Sequence, residues 1–240
     1  KSTDAYCYIG TEKPNHDVVI VGWDDSYSKD NFNTDLEGDG AFICQNSWGD
    51  NFGENGFFYI SYYDTNIGTH NVVYTDIENT DNYDHIYQSD LCGWVGQLGY
   101  NKDSIYGANV FTAEGNETLK AASFYATGKD SQYELYVVRQ FEDETSLEKM
   151  IPVASGKLGN AGYYTVDFNQ GIEVDAGERY AVVLYIITPG SVHPMAIEYA
   201  ADEATENVDL DDGESYISAN GSKWVSVDTV ENPISVSSIQ

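Results

Sequence analysis

From residue 83 onward the chain is built from short runs of β-branched, aromatic and other apolar residues. Polar and apolar side chains alternate in several runs, as where Glu134 and Tyr136 alternate with Leu135 and Val137. Such alternation places one set of side chains on each face of a strand. Turn signals separate the runs, and no long amphipathic helical pattern interrupts them. The predicted strands are 106–111, 119–125, 133–138, 162–168, 179–186 and 195–199. The pattern is typical of an antiparallel β-sandwich, for which we expect a jelly-roll-like arrangement.

A polar segment without apolar periodicity, ENTDNYD at 78–84, precedes these runs and is typical of a linker. We therefore predict two domains, residues 1–80 and 81–240, in a chain that is mainly β. The first domain is expected to contain a surface hairpin, a buried strand, two strands joined by a turn-rich loop, and a last strand. These elements are predicted at 1–14, 15–23, 41–62 and 71–74.

Two motifs of the first domain place a His and an Asn beside neighbouring predicted strands. His16 stands at the start of NHDVVIVGW, and Asn46 belongs to QNSWGDNFGENG. An imidazole can hold a nearby thiol as the reactive thiolate. An amide bonded to the other ring nitrogen fixes the orientation of the imidazole without adding charge. Taken singly, His16 is most simply a strand cap and Asn46 a turn residue, but the two motifs together favour a catalytic pair.

The two motifs together resemble the C-terminal lobe of the papain-like cysteine peptidases, which is the β-rich half of an α+β fold. The resemblance implies that His16 is the catalytic base and that Asn46 orients it. It also implies that Trp48 covers the bond between them and keeps water away. The expected reaction is hydrolysis of a peptide bond through a Cys-His-Asn site.

Several positions around the motifs can be compared with the same family. The resemblance implies that Gly49, Gly53 and Gly56 serve backbone turns that a side chain would obstruct. Asp17 stands where the family usually has a small apolar residue, and it either raises the basicity of the base or points to solvent. Gln45 stands where the family often has Lys.

The nucleophile expected from this resemblance is missing. The family carries it on a Q-x-x-x-x-x-C-W segment that also supplies the oxyanion-hole Gln, and none of these 240 residues matches that segment. Cys7, Cys44 and Cys92 lie in other contexts, form no disulfide or zinc pattern, and are expected to be buried and inert. The resemblance therefore implies that a missing or separate segment provides the Cys and Gln lobe, and that this chain alone is inactive.

Residues 83–240 resemble the lectin-like domain appended to some bacterial papain-like peptidases, notably in YDHIYQSDLCGW at 83–94 and in the strands at 106–111 and 119–125. Binding of sugars is implied only by analogy of fold, and it would need an exposed aromatic platform. Packing in the core is the more common role of aromatic residues. The candidates for a platform are Tyr87, Trp94, Tyr100 and Trp224.

Other polar residues suggest no second site. The acidic loop 24–40 offers the oxygen ligands that calcium prefers, but its spacing is not that of an EF-hand, and a solvated loop is the favoured interpretation. His85 and His193 have no partner pattern that indicates a metal or catalysis, and His70 is expected to be a loop residue. No cofactor is expected.

Composition restricts the function further. Forty acidic residues against eleven basic ones give a net charge of −29, which would repel the phosphates of a nucleic acid. A hydrophobic content of 41% with 20 Tyr indicates folded domains. The sequence contains no run of about 18 apolar residues, so no membrane span is predicted. An extracellular or cell-surface bacterial protein fits this composition and the resemblance.

Two functions from different classes remain open. The first is a papain-like endopeptidase whose partners are a peptide or protein substrate, the Cys-bearing lobe, and a cell-surface glycan held by the sandwich. The alternative is a non-catalytic binding or adhesion protein that kept the peptidase fold and lost its chemistry. A standalone carbohydrate-binding module would leave the His and Asn motifs unexplained.

Overall fold

The computed structural model describes residues 4–69, 71–203, 205–208, 210, 214–227 and 235–236. His70 lies outside these residues, and so does Asp212-Gly213, one of the turn signals that separate the predicted strands. The chain divides into two compact units, Lys1–Ile77 and Glu78–Gln240. Within the described ranges, no helix has the length and apolar character needed to cross a membrane.

The first unit is a four-stranded sheet in the order β1-β4-β3-β2. Its strands are β1 (Ala5–Tyr6), β2 (Val19–Asp24), β3 (Ala41–Gln45) and β4 (Phe57–Ser61). β1 runs parallel to β4, and the other two pairs are antiparallel. Small apolar clusters pack on opposite faces, one around Ala41 and the other around Cys44 and Phe58, because residues 41 and 44 point to opposite sides of a strand.

Three elements of this unit differ from the prediction. The described residues of the predicted hairpin, 4–14, form none, since β1 pairs in parallel with β4 across a long loop. Residues 15–23 do not form a buried strand: β2 begins at Val19 and is the edge of the sheet, so that Val19 and Trp23 are 61% and 69% exposed. Residues 71–74 form no strand, and Val72 and Tyr74 are exposed. Apolar runs alone do not reveal whether a covering layer is present.

The acidic loop between β2 and β3 is anchored by apolar side chains. A 3₁₀ turn spans Lys29–Asn31, and Phe32 and Leu36 are buried in the cluster around Ala41. The side chain of Asp39 accepts the backbone N–H of Lys29 at 2.9 Å. The loop is therefore an ordered part of this unit.

The described residues of the second unit form three antiparallel sheets. The strands are β5 (Gly96–Leu98), β6 (Ser104–Thr112), β7 (Glu117–Ala126), β8 (Ser131–Val138), β9 (Ile151–Leu158), β10 (Gly162–Val174), β11 (Arg179–Ile187), β12 (Met195–Glu198), β13 (Glu214–Ser218), β14 (Val225–Ser226) and β15 (Ser235–Val236). A six-stranded sheet has the order β14-β13-β6-β11-β8-β9, and the smaller sheets are β10-β7 and β15-β12-β5. A 3₁₀ helix spans Glu144–Glu148.

The main core lies between the six-stranded sheet and the two smaller sheets. Leu135 and Leu184 of the large sheet pack in one cluster with Phe124 of β7 and Met195 of β12. A second cluster, around Val183 and Leu147, covers part of the opposite, outer face. The predictions of a mainly β chain and an antiparallel sandwich are confirmed.

The last described strand is held by buried polar side chains. Asn109 of β6 donates its amide N–H to the carbonyl of Val236 at 2.9 Å. Ser215 of β13 donates its hydroxyl to Asn109 at 2.8 Å and accepts the backbone N–H of Val236 at 3.2 Å. Val236 itself is fully buried, so both backbone groups of one core residue are bound by side chains from other strands.

Candidate functional site

His16 and Asn46 are in direct contact. Nε2 of His16 lies 2.9 Å from Oδ1 of Asn46, and the backbone N–H of Ser47 donates to the same oxygen at 2.8 Å. A backbone N–H can only donate, so this atom must be the amide oxygen, and Nε2 must carry the proton that it shares with Asn46. In the neutral imidazole, Nδ1 is then an acceptor that can take a proton from another group.

The loop after β3 fixes the position of Asn46. The backbone N–H of Asn46 donates to the carbonyl of Gly56 at 3.0 Å, which closes the loop at its base. Asn46 is only 8% exposed. Gly53 has a φ of +55°, and a side chain there would overlap the carbonyl oxygen of Phe57. This backbone path therefore requires glycine, which is the physical reason for one of the glycines in the motif.

Trp48 packs beside the imidazole. The centroids of the His16 and Trp48 rings are 5.1 Å apart, with planes tilted by 32°. Phe52 lies edge-on to Trp48 at 5.0 Å and to the core residue Phe58 at 5.4 Å. The aromatic series thus connects the imidazole to the core of the unit, although Trp48 remains 63% exposed.

The two positions that depart from the family pattern both face solvent. Asp17 is exposed beside His16, and Gln45 is exposed at the end of β3. His16 is also exposed. The described contacts of the imidazole are therefore on the Asn46 and Trp48 sides.

None of the three thiols has the environment of a catalytic thiolate. Burial, followed by the charge of Asp64, raises the pKa of Cys44 to about 11. Burial raises the pKa of Cys7, and Asp64 adds to the effect. Cys92 is exposed, contrary to the expectation of a buried residue; loss of hydration, then the hydrogen bond and charge of Glu198, raise its pKa. A raised pKa favours the unreactive protonated form.

The described residues contain no group of three or more His, Cys, Asp or Glu side chains that could hold a metal ion. In the acidic loop, Asp24 accepts the backbone N–H and the hydroxyl of Ser26 at 2.8 Å and 2.7 Å. Those contacts hold this carboxylate in a local turn.

The proposed aromatic platform does not assemble from its four candidates. Tyr87 packs against the main core, and its hydroxyl donates to Glu117 at 2.8 Å. Trp94 is half-buried with its ring 6.0 Å from that of Tyr125. Trp224 packs on the outer cluster of the large sheet. Tyr100 is the one exposed residue of the four, with 38% of its surface accessible.

His85 has a partner that the sequence did not indicate. Its Nδ1 lies 2.7 Å from a carboxylate oxygen of Glu117, an oxygen that also accepts the backbone N–H of Gly115 at 2.9 Å. The hydrogen bond and charge of Glu117 raise the pKa of His85. The two residues are 32 positions apart in the chain, so no local spacing could have revealed the pair. His193 is exposed.

Both units match known protein families. The model of the papain family cysteine proteases matches residues 3–77, and the model of the lectin-like domain matches residues 86–237. No curated protein matches the chain.

Two solved structures are similar over the whole chain. The clostridial cysteine protease Cwp84 after propeptide cleavage matches 100% of this chain at 27% identity with a TM-score of 0.79. A structure of the cysteine protease and lectin-like domains of Cwp84, described as a surface layer associated protein of Clostridium difficile, matches 100% at 25% identity with a TM-score of 0.74. The chain covers 62% and 55% of those two chains, which is less than two thirds of each. The resemblance noted from the motifs is confirmed: the chain belongs to the lectin-like domain family through residues 86–237, and ahead of that domain it carries a segment of the papain family of cysteine proteases.

Proposed function

We propose that this chain is the His- and Asn-bearing part of a papain-like cysteine endopeptidase. The observation that carries the proposal is the bond between Nε2 of His16 and Oδ1 of Asn46, in which the N–H of Ser47 identifies the oxygen. That arrangement leaves Nδ1 of His16 as the proton acceptor. A neutral, oriented imidazole with one free acceptor nitrogen is what activation of a thiol requires.

The proposed reaction uses a Cys from outside these 240 residues. Nδ1 of His16 takes the thiol proton, and the thiolate attacks the peptide carbonyl. The imidazolium returns the proton to the leaving amine, which leaves a thioester on the Cys. His16 then takes a proton from water as the water oxygen attacks the thioester carbonyl. The C–S bond breaks, the acid is released, and the expelled thiolate is left paired with the protonated imidazole, as at the start of the cycle. Asn46 keeps Nδ1 directed at the reacting atoms throughout, and Trp48 shields the His16–Asn46 bond.

The proposed partner of this unit is the Cys- and Gln-bearing lobe. Large apolar side chains are exposed along the edge strand β2 and again in the segment 71–77. They are Val19, Ile20, Val21 and Trp23, then Val72, Val73, Tyr74 and Ile77. Each of these two runs is an exposed apolar stretch of the kind that another part of a protein often covers, and the two similar solved chains are longer than this one.

The experiment treats the complete enzyme with an epoxide probe selective for papain-type thiolates and measures the labelled mass. We expect one label on a Cys outside these residues, and no label after His16→Ala, because the thiolate is then not stabilised. A complete protein that takes no label, or that hydrolyses peptides unchanged after His16→Ala, would refute the proposal. The first of these results would favour the non-catalytic adhesion protein.

We propose that the protein acts at the bacterial cell surface, where the lectin-like domain contacts a carbohydrate. One similar structure is of a protein described as surface layer associated, and the chain is strongly acidic, as extracellular proteins can be. The protein substrate would then be a component of the envelope or its surroundings. Labelling of intact cells with an impermeant amine reagent, followed by mass spectrometry, tests this location, and absence of labelled protein would contradict it.

A further inference from the structure

A two-residue turn at Asn55 and Gly56 closes the loop that carries Asn46. The backbone N–H of Glu54 donates to the carbonyl of Phe57 at 2.8 Å, and the N–H of Phe57 donates to the carbonyl of Glu54 at 3.1 Å. Between them, Asn55 and Gly56 have φ values of +53° and +90°. Two central residues of positive φ are typical of a type I′ turn, for which Asn-Gly is a preferred pair. The identities of these two residues therefore favour the observed turn.

The carbonyl of Gly56 holds the amide side of the site. It accepts the backbone N–H of Asn46 at 3.0 Å, and Asn46 in turn places its Oδ1 at 2.9 Å from Nε2 of His16. Gly56 is buried, and a hydrogen bond away from water is electrostatically stronger than an exposed one. A shift of the Gly56 carbonyl would therefore move the acceptor that orients the imidazole.

The N–H of the same glycine holds the aromatic side of the site. The backbone N–H of Gly56 donates to the carbonyl of Phe52 at 2.8 Å. The ring of Phe52 lies edge-on to Trp48 at 5.0 Å, and Trp48 packs beside the imidazole at 5.1 Å. The two backbone groups of Gly56 thus support, one each, the two side chains whose contacts with His16 are described.

Asn55 contributes to this turn through its backbone. Its φ of +53° lies in the left-handed region, which Gly adopts freely and Asn adopts more readily than most other residues. Its side chain is exposed, so a substitution there changes the backbone preference and leaves core packing intact. Glycine at position 55 would keep the turn, whereas alanine would oppose it.

We propose that Asn55 is a positioning residue of the site formed by His16 and Asn46. By holding the turn of positive φ, Asn55 fixes both backbone groups of Gly56, and these fix Asn46 directly and Trp48 through Phe52. Asn55 acts through these residues, and none of the described contacts of the imidazole involves it. The inference deepens the proposed peptidase function and rests on it for its role in catalysis.

The first measurement is NMR of the 240-residue chain, which needs no peptidase activity. In Asn55→Ala we expect the backbone amide of Asn46 to exchange about five- to tenfold faster, because the strained loop opens more often. The ring-proton shifts of His16 should also move as Trp48 is displaced. A loss of stability alone would speed exchange throughout the unit but would leave these native-state shifts in place.

Three further variants complete the comparison. Asn55→Gly should restore both the exchange rate and the shifts, because glycine adopts positive φ without steric cost. Asn51→Ala is the matched control, since Asn51 is exposed in the same loop without a positive φ. If Asn55→Ala does not fold, Gly56→Ala is the second test, because its φ of +90° opposes a side chain although an added Cβ would meet no atom closer than 3.5 Å.

The second measurement is steady-state hydrolysis of a fluorogenic peptide by the complete enzyme. We expect Asn55→Ala to lower kcat about two- to tenfold with KM unchanged, because the imidazole spends less time in its reactive orientation. Asn55→Gly should recover the wild-type kcat, and Asn51→Ala should not change it.

Either of two results would overturn the positioning role. The first is a folded Asn55→Ala chain whose His16 ring-proton shifts match those of the wild type. The second is an Asn55→Gly variant that is affected as strongly as Asn55→Ala, since the side chain and not the backbone would then be responsible. Epoxide labelling of the complete enzyme tests the peptidase proposal separately. A complete enzyme that takes no label would refute that proposal, while the NMR comparison would still decide whether Asn55 positions His16.

Discussion

Replacing Asn46 by alanine removes the acceptor that holds the imidazole of His16. A hydrogen bond between neutral groups contributes about 0.5–1.5 kcal/mol, and each 1.36 kcal/mol is a factor of ten in rate. We therefore expect kcat/KM of the complete enzyme to fall about 2- to 13-fold, as the ring rotates and both tautomers become populated. The backbone N–H of Ser47 also loses its acceptor, so the free energy of unfolding should fall by about 1–3 kcal/mol.

The assay is steady-state hydrolysis of a fluorogenic peptide, together with urea unfolding of each variant. Gln45→Ala is the matched control, because that neighbouring side chain is exposed at the end of β3. If Asn46 acts only through His16, the double variant should be no slower than His16→Ala alone. A folded Asn46→Ala enzyme with unchanged kcat/KM, or a double variant slower than His16→Ala, would refute this reasoning.

Three further predictions concern stability and reactivity. Gly53→Ala should lower the free energy of unfolding in urea by about 1–3 kcal/mol, because the positive φ of Gly53 and the nearby carbonyl of Phe57 both oppose a side chain. A variant as stable as the wild type would contradict the described loop. Glu117 raises the pKa of His85, so the pair stabilises the fold below the unfolded His pKa of about 6.5 and loses this effect as pH rises through the folded pKa. The difference in Tm between wild type and His85→Ala should therefore shrink from pH 6 to pH 9. A difference that grows over this range would show that the sign is wrong. Iodoacetamide at neutral pH should modify the exposed Cys92 before the buried Cys44, as peptide mapping would detect; the reverse order would contradict the assigned burial.

The alternating runs of the second unit were sufficient to predict most of its long strands. Residues 133–138 lie within β8 and residues 179–186 within β11. β9 escaped prediction because Pro152 and Gly156 interrupt its apolar pattern. Proline is tolerated at that position because β9 is an edge strand of the six-stranded sheet.

Exposure in the first unit could not be predicted from apolar runs. Val19, Val21 and Trp23 have the composition of a buried strand, yet β2 is an exposed edge in this chain. An apolar composition shows that a strand can be buried, but it does not show whether another layer of the protein covers that strand. The parallel pairing of β1 with β4 was also missed, since pairing over more than 50 residues leaves no local signal.

The contact between His16 and Asn46 followed from the two motifs, and its catalytic role stays a prediction. The direction of its hydrogen bond needed coordinates, because only the N–H of Ser47 identifies the amide oxygen. The aromatic candidates failed for a different reason. Tyr87 and Trp224 pack against core clusters formed by residues distant in the chain, so no local property of either residue distinguished it from an exposed aromatic residue.

The bond from Asn109 to Val236 has a consequence for synthesis of the protein. These residues are 127 positions apart, and Asn109 lies on β6, inside the large sheet between β13 and β11. A nascent chain that has reached β11 can already pair it with β6, but the amide of Asn109 still lacks the acceptor that Val236 provides. Completion of the sandwich should therefore wait until residue 236 has left the ribosome, and until then the half-built core is open to chaperones and to aggregation.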